Sequence, residues 1–393
     1  MRSANRLFTL LLLSLAVIAP AAAATLDEVI AKHIEARGGR DNWDKIRSIR
    51  MTGDFTAFSR VAPFTLTRAR DNSYLLDTKL NGRVVIIGHD GATTWWNNHW
   101  FKEGAERMTG IDSEVARADA YFVNPLFNYR ELGMTAEYLG ETEYEGMPAL
   151  GIKLTRPDGA EETWYLDPSS YLEYARTSPG SDFGRPLPQR TFYDDFREIE
   201  GVMIPFLVET QWYTRNRVMH VNNVEVNIEV DPAMFSMPSP EGMAELLNMV
   251  GNWKVAVAQR DRPGGPLKES ELEIDIASIM DGQLIQTNYA MDDGYRVQWS
   301  LSYDASRKIY RLTRFHSGAG YMDIRQGTFD DDGKLTLSNL ETETPYQGVE
   351  LTMYGRFNVL EIAADSFKIE REASIDGGKN WWVAATEVYT RRP

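Results

Sequence analysis

Apolar residues change their spacing once, early in this chain. Over Leu26, Val29, Ile30, His33 and Ile34 they recur at intervals of three and four, which places them on one face of a helix. Thr25 or Asp27 stands ready to cap its start, and Gly38-Gly39 stops it. Asp41 opens a second short turn through Trp43 and Ile46. From there the period is two. Val202, Ile204, Phe206 and Val208 alternate with other residues, and Val224, Val226, Ile228 and Val230 alternate with Glu225, Asn227 and Glu229, as on a half-buried strand. Pairs that accept a positive φ recur at Asn81-Gly82, Asp90-Gly91, Asp158-Gly159, Asp281-Gly282, Asp293-Gly294, Asp332-Gly333 and Asp376-Gly377. Strand, turn and strand over hundreds of residues predict antiparallel sheet, closed or stacked as barrels or sandwiches. One interruption, Asp112 to Phe122, reads as helical.

Proline punctuates the chain at Asp231-Pro232 and again at Met237-Pro238-Ser239-Pro240. A short helical segment, Met243 to Val250, follows, and strand patterns resume at Trp253. This spacing predicts two domains, 25–238 and 243–393. Ahead of them, Arg2 and Arg6 precede an apolar run from Leu7 to Ile18, then Pro20 and Ala21 to Ala24. A basic start, a short apolar core and small residues at the end predict a signal peptide over 1–24, cleaved near Ala24. The run is too short to span a bilayer comfortably. The expected location is the periplasm, with no permanent membrane anchor.

Composition narrows the chemistry. With 0 Cys there are no disulfides, thiolate nucleophiles, Cys-ligated metals or lipid-modified cysteines. The formal net charge is −15, and the leader holds two arginines and no acid, so the remainder is more acidic still. Such a chain is repelled by nucleic acid. There is no G-x-S-x-G, H-E-x-x-H, phosphate loop or G-x-G-x-x-G. His33, His89, His99, His220 and His316 show no metal-binding spacing, so no cofactor and no metal are expected. His33 lies on the apolar helix face and reads as a packed residue. Adjacent acids, Glu161-Glu162 and Asp194-Asp195, would face opposite sides of a strand and make a poor hydrolytic dyad. Asp330-Asp331-Asp332-Gly333 lacks the spaced ligands of a calcium loop. Ser374 to Trp381 fits an S-x-D-x-G-x-x-W turn, in which the Asp accepts backbone N–H groups and the Trp packs beneath. None of this points to an enzyme.

Aromatic residues point elsewhere. Trp95, Trp96, Trp100 and Phe101 fall within a few residues of one another. On a strand Trp96 and Trp100 share a face, as do Trp164 and Leu166, and Phe206, Val208 and Trp212. Trp96, Trp100, Trp164, Leu166, Phe206 and Trp212 are therefore the expected ligand-binding wall of an apolar cavity.

The phrasing of 25–238 resembles the periplasmic lipoprotein-carrier family, the LolA and LolB type. The resemblance is carried by the helix ending in Gly38-Gly39, the strand opening at Ile46 to Gly53, His89-Asp90-Gly91 before Trp95-Trp96, Tyr165-Leu166-Asp167, Tyr193 to Phe196 and Glu200 to Phe206. It implies a curved, unclosed antiparallel half-barrel covered by helices, binding lipid or lipoprotein acyl chains. The C-terminal part is similar to an uncharacterised, calycin-like bacterial family through Gly251-Asn252-Trp253, Ser302-Tyr303-Asp304, Gly327 to Asp330 and the Ser374 to Trp381 turn. That likeness implies a barrel whose first-strand Trp253 is covered by a late arginine, Arg391 or Arg392. The fold class expected is thus mainly β (α+β), half-barrel plus calycin-like barrel. The function expected is a non-catalytic periplasmic carrier of lipid-like, apolar small molecules. The alternative is an envelope sensor or interaction module with an envelope protein partner; a hydrolase is the weakest reading.

Overall fold

The computed structural model describes residues 24–213, 215–291 and 294–392; the signal-peptide reading over 1–24 falls almost wholly outside them. Helix α1, Leu26–Ala36, starts where its capping box predicts. The Glu28 N–H donates to Thr25 Oγ1 at 3.3 Å, and the Thr25 N–H donates back to Glu28 Oε2 at 2.8 Å. Its buried face is Val29, Ile30 and His33. Gly38 then takes φ +102° and ends it. Helix α2 is Arg40–Trp43 and α3 is Gly110–Asp119.

Strands fill most of the rest. The first thirteen are β1 Ser48–Ala57, β2 Arg60–Ala69, β3 Tyr74–Leu80, β4 Arg83–His89, β5 Thr94–Asn98, β6 Glu106–Arg107, β7 Thr135–Tyr144, β8 Met147–Thr155, β9 Glu161–Leu166, β10 Glu173–Asp182, β11 Arg185–Ile199, β12 Val202–Trp212 and β13 Arg215–Val226. Their order in one antiparallel sheet is β6-β5-β4-β3-β2-β1-β13-β12-β11-β10-β9-β8-β7. Tight turns sit where the pairs predicted them: Asn81 and Gly82 both take positive φ, 52° and 79°, between β3 and β4. The alternation from Val224 to Val230 is cut at Val226, because Asn227 turns to φ +56° and its side chain accepts the Arg47 N–H at 2.7 Å. By contact density the chain divides into two units: Met1–Arg47, Gly53–Ser59 and Val123–Asn227 in one, and Ser48–Thr52, Arg60–Phe122 and Ile228–Pro393 in the other.

The second unit holds β14 Gly251–Gln259, β15 Lys268–Ile279, β16 Leu284–Ala290, β17 Arg296–Asp304, β18 Ile309–His316, β19 Tyr321–Phe329, β20 Leu335–Ser338, β21 Tyr346–Gln347, β22 Thr352–Leu360, β23 Ser366–Ser374 and β24 Trp382–Arg391. Neighbouring strands pair in sequence, β20 pairs with β22, and β24 pairs back onto β14. The result is a closed ten-strand barrel. Its inward positions alternate along every strand, and Val255, Ile276, Ile285, Leu301, Leu312, Leu337, Val359 and Ile369 form a dry core.

This corrects the expected fold class. An α+β chain with an unclosed, helix-covered half-barrel and a calycin-like second barrel does not describe it. The described residues are mostly β, and their α-helices have only 11, 4 and 10 residues. Helical periodicity is confined to two short stretches, and period two wins elsewhere. The closed element is the C-terminal barrel.

One end of that barrel is sealed by Trp253. It is fully buried, its indole N–H donates to the Met249 carbonyl at 2.8 Å, and Phe367 and Tyr389 meet it edge-on. Arg391, not Arg392, lies over its ring, 4.3 Å from the centroid. The same guanidinium donates to the carbonyls of Asn248 at 2.9 Å and Val250 at 3.1 Å. Gly251 makes room for it: a Cβ there would meet Arg391 Nη1 at 2.2 Å, on a backbone at φ +141°. Gly251→Ala should therefore cost about 2 kcal/mol or more, from strain plus the displaced arginine. Gly333→Ala, at φ +77° with nothing in reach, should cost only about 1–2 kcal/mol. Chemical denaturation of the two variants checks the order.

The Ser374 to Trp381 segment is the β23–β24 hairpin turn. Asp376 Oδ1 accepts the Ser374 hydroxyl at 2.8 Å and the Asn380 N–H at 2.9 Å, and the Trp381 indole donates to the Gly378 carbonyl at 2.8 Å. Backbone and side-chain bonds from Asn380 lower the Asp376 pKa to about 2. A depressed carboxylate stabilises the fold fully above its unfolded value, near 3.8, and loses that contribution as pH falls through about 2. An NMR titration of Asp376 should give a midpoint near 2, and one near the unfolded value would mean that the turn is open in solution.

Candidate functional site

In the first unit, the predicted wall residues lie on β9 and β12. Trp164 pairs across the sheet with Ile152 and Arg176. It is buried, and its indole N–H donates to Glu162 Oε1 at 2.9 Å. The Arg176 guanidinium covers one side of its ring at 5.3 Å, and Tyr193 stacks with it at 6.1 Å. Leu166 is fully buried beside it in sequence phase. Phe206 is buried under Arg197, 4.3 Å from its centroid. Trp212 is half-buried with Arg217 over its ring at 5.0 Å, and its buried indole N–H has no hydrogen-bond partner among the described residues. The paired acids part company as strand geometry requires: Glu161 is exposed, while Glu162 is buried. Asp195 takes φ +50° and holds Arg197 at 2.6 Å.

Sequence reasoning missed a buried charged group in this unit. Arg37 pairs with Glu173, and both side chains are nearly closed to solvent. His33 joins them, its Nδ1 2.8 Å from the Tyr171 carbonyl and 3.9 Å from Glu173 Oε2. Burial lowers the His33 pKa, against the raising effect of Glu173, so the ring stays neutral. His33 was visible on the helix face; its partners on β10 were not.

In the second unit, Trp96 on β5 is half-buried, donates to Glu106 Oε1 at 2.8 Å and stacks with Phe101 at 5.5 Å. Trp100 lies past the end of β5, is 42 % exposed and carries Arg83 over its ring at 4.7 Å. Their neighbour Trp95 is the core residue, donating to the Phe235 carbonyl at 2.7 Å. A groove of about 510 Å³ in this unit is lined by Arg107, Met237, Pro238, Ser239, Pro240, Leu247 and residues 278–282, and none of the predicted wall residues reaches it.

The barrel interior was not singled out by sequence. Its alternation carries polar groups inward toward the end opposite Trp253. On β18, Arg314 follows Tyr310 and Leu312 in the inward phase. On β23, Arg371 follows Phe367 and Ile369. Tyr289 ends the inward row of β16, and Asp323 and Arg325 sit on β19. Asp323 Oδ2 accepts two bonds from Arg325, at 2.8 and 2.6 Å, and its Oδ1 accepts Asn339 at 2.9 Å. Glu387 holds Arg371 at 2.7 Å and accepts the Tyr389 hydroxyl at 2.9 Å. Tyr289, Arg314 and Arg371 are half-buried. Burial raises the Tyr289 pKa, with Glu387 adding to it, so the phenol stays protonated. The available signal was an arginine on the inward phase of two otherwise apolar strands.

Comparison with known proteins adds family likeness. Residues 240–391 match the family described as "Protein of unknown function (DUF1579)". No curated protein matches the chain. Among solved structures, the LolA superfamily protein NE2245 from Nitrosomonas europaea is 14% identical, covering 55% of this chain and 98% of its own, at a TM-score of 0.37. A DUF1329 family protein from Desulfovibrio piger is 11% identical over 54% of this chain and 97% of its own, at 0.38. Rv2717c from M. tuberculosis is 16% identical over 40% of this chain and all of its own (100%), at 0.31. Scores this low carry no functional weight.

The Arg37–Glu173 pair generates a test. Glu173→Gln leaves a guanidinium buried without its counter-ion, and removing one partner of such a pair costs about 3–5 kcal/mol. Urea denaturation should show that loss. A change within about 0.5 kcal/mol, the range of ordinary surface substitutions, would mean that the pair is solvated in solution.

Proposed function

We propose that this chain is an exported, periplasmic binding or carrier protein for lipid-like ligands, and that it does no chemistry of its own. The observation that supports this best is the barrel interior. Protein cores are packed to the density of organic crystals. At the end of the closed barrel away from Trp253, the inward side chains Tyr289, Arg314 and Arg371 are only half-buried above a buried apolar core. A small apolar ligand would enter there. An acyl chain gains about 0.8 kcal/mol per buried CH₂, so it binds there without elaborate polar recognition. The leader pattern over 1–24 supports export.

The sheet supplies further proposed contact residues: Trp164, Leu166, Phe206 and Trp212 in the first unit, Trp96 and Trp100 in the second. Trp96 is the informative one, since it is neither core nor fully exposed.

A neutral fluorescent dye displaced by acyl ligands tests the reading. The full chain should bind the dye and release it to dodecanoate. Trp96→Asp should remove the part of the binding that the sheet carries, with little change in Tm and no effect on binding in the barrel, because an unpaired carboxylate in an apolar contact costs several kcal/mol. Trp96→Leu should lose much less. Unchanged binding in a well-folded Trp96→Asp protein removes that residue from the contact surface, and absence of any acyl binding ends the carrier reading.

A further inference from the structure

The inward-facing charges of the barrel do not balance. Strands β14, β16, β17, β20 and β22 direct none into the interior where these groups meet, and Lys268, in the inward phase of β15, is exposed and paired with Asp261; β19 supplies Asp323 and Arg325, β23 supplies Arg371 and β24 supplies Glu387. These four form two pairs. Asp323 binds Arg325 through both Nε and Nη2 and has its other oxygen taken by Asn339. Glu387 binds Arg371 and has its other oxygen taken by Tyr389. Arg325 is further fixed by Gly355, where any Cβ would meet its Nη2 at 2.5 Å.

Arg314 is the remaining charge. It faces Trp299 on one side and Asp323 on the other in strand register. Asp323 is committed to Arg325, and Arg314 has neither a hydrogen bond nor an ion pair among the described residues. Burial lowers its pKa and the charges of Arg371 and Arg325 add to that, against the raising effects of Tyr289 and Asp323. Trp299 pairs with both Arg314 and Thr287, and Tyr289 is the next inward residue after Thr287; its hydroxyl makes no hydrogen bond among the described residues. A half-buried guanidinium on the inward phase of an otherwise apolar strand, with no ion pair of its own among the described residues, is a place where an anion would be stabilised.

We propose that the barrel interior binds the carboxylate head of an amphiphile, with the Arg314 guanidinium as counter-ion and the Tyr289 hydroxyl as a second donor. This deepens the carrier reading and rests on it. One uncompensated positive charge matches one negative charge; a dianionic phosphate would leave the dry wall with a net negative charge. A planar carboxylate also fits the fork of a guanidinium. Below these groups the inward rows continue as the buried apolar core of Trp299, Leu312 and Phe357, so the tail would have to enter against them.

The test uses the full chain and two ligands of equal length, dodecanoate and 1-dodecanol, each displacing the neutral dye N-phenyl-1-naphthylamine. Dodecanoate should bind about tenfold tighter or more, the ratio expected when a hydrogen-bonded ion pair replaces a neutral contact. Arg314→Met should bring the two affinities together while holding or raising the Tm of the ligand-free protein. Tyr289→Phe, which removes only a hydroxyl, should weaken dodecanoate severalfold and leave dodecanol unchanged. Equal affinities in the unmodified protein, or a preference for dodecanoate that survives Arg314→Met, overturn the anion site and leave the carrier reading standing. If neither ligand binds, the carrier reading falls and the anion site with it.

Discussion

Strand β24 has to pair on both sides, with β23 and with β14, before the barrel has an inside. The register of that second pairing sets Arg391 opposite Trp253. The guanidinium then covers the ring and draws in carbonyls from the segment before β14 and, through Ala364, from the loop before β23. Closure and the seal are thus one event. Gly251 is the backbone concession that permits it, since only a residue without Cβ leaves space for the arginine. With one end closed by Trp253, Phe367 and Tyr389, the half-buried inward side chains Tyr289, Arg314 and Arg371 lie toward the other end.

Both units hold charge away from solvent in ion pairs. Arg37 has Glu173, Arg325 has Asp323 and Arg371 has Glu387. Each pair is supported by further hydrogen bonds or ring contacts, as a buried ion pair must be to offset its desolvation. Arg314, half-buried in the same barrel, has no such partner among the described residues. A group that breaks a rule kept elsewhere in the same molecule is a better guide to binding than any of the well-packed tryptophans, whose burial is explained by the sheet itself.

Local signals in the chain carried the local structure. Thr25 and Glu28 fixed the start of α1, Asn81-Gly82 closed its hairpin, and Ser374 to Trp381 folded as the turn its spacing implied. The likeness of Gly251-Asn252-Trp253 to a first barrel strand with a late arginine was met by Arg391. What failed was the assignment of class, because short helices were weighed as a layer when they are isolated segments of 11, 4 and 10 residues. The interior charges were illegible for a different reason. Arg314 and Arg371 sit on strands that read as apolar every second residue, and a lone arginine in that phase looks like a register slip. Only long-range pairing shows which residues share the interior, and strand partners far apart in sequence leave no local mark.

Closure by the last strand also has a consequence for synthesis. A chain emerging from its N-terminus completes β14 early and must wait for 382–391 before that strand gains its second neighbour. Until then both β14 and β23 present unpaired backbone, the kind of edge that recruits strands from other molecules. The pairing that ends the wait joins distant parts of the sequence, and such topologies fold slowly. No disulfide can hold an intermediate, since the chain has 0 Cys. The barrel segment therefore spends its youth as an aggregation hazard, and a chaperone that shields β14 would act on the slowest and most exposed stage of its life.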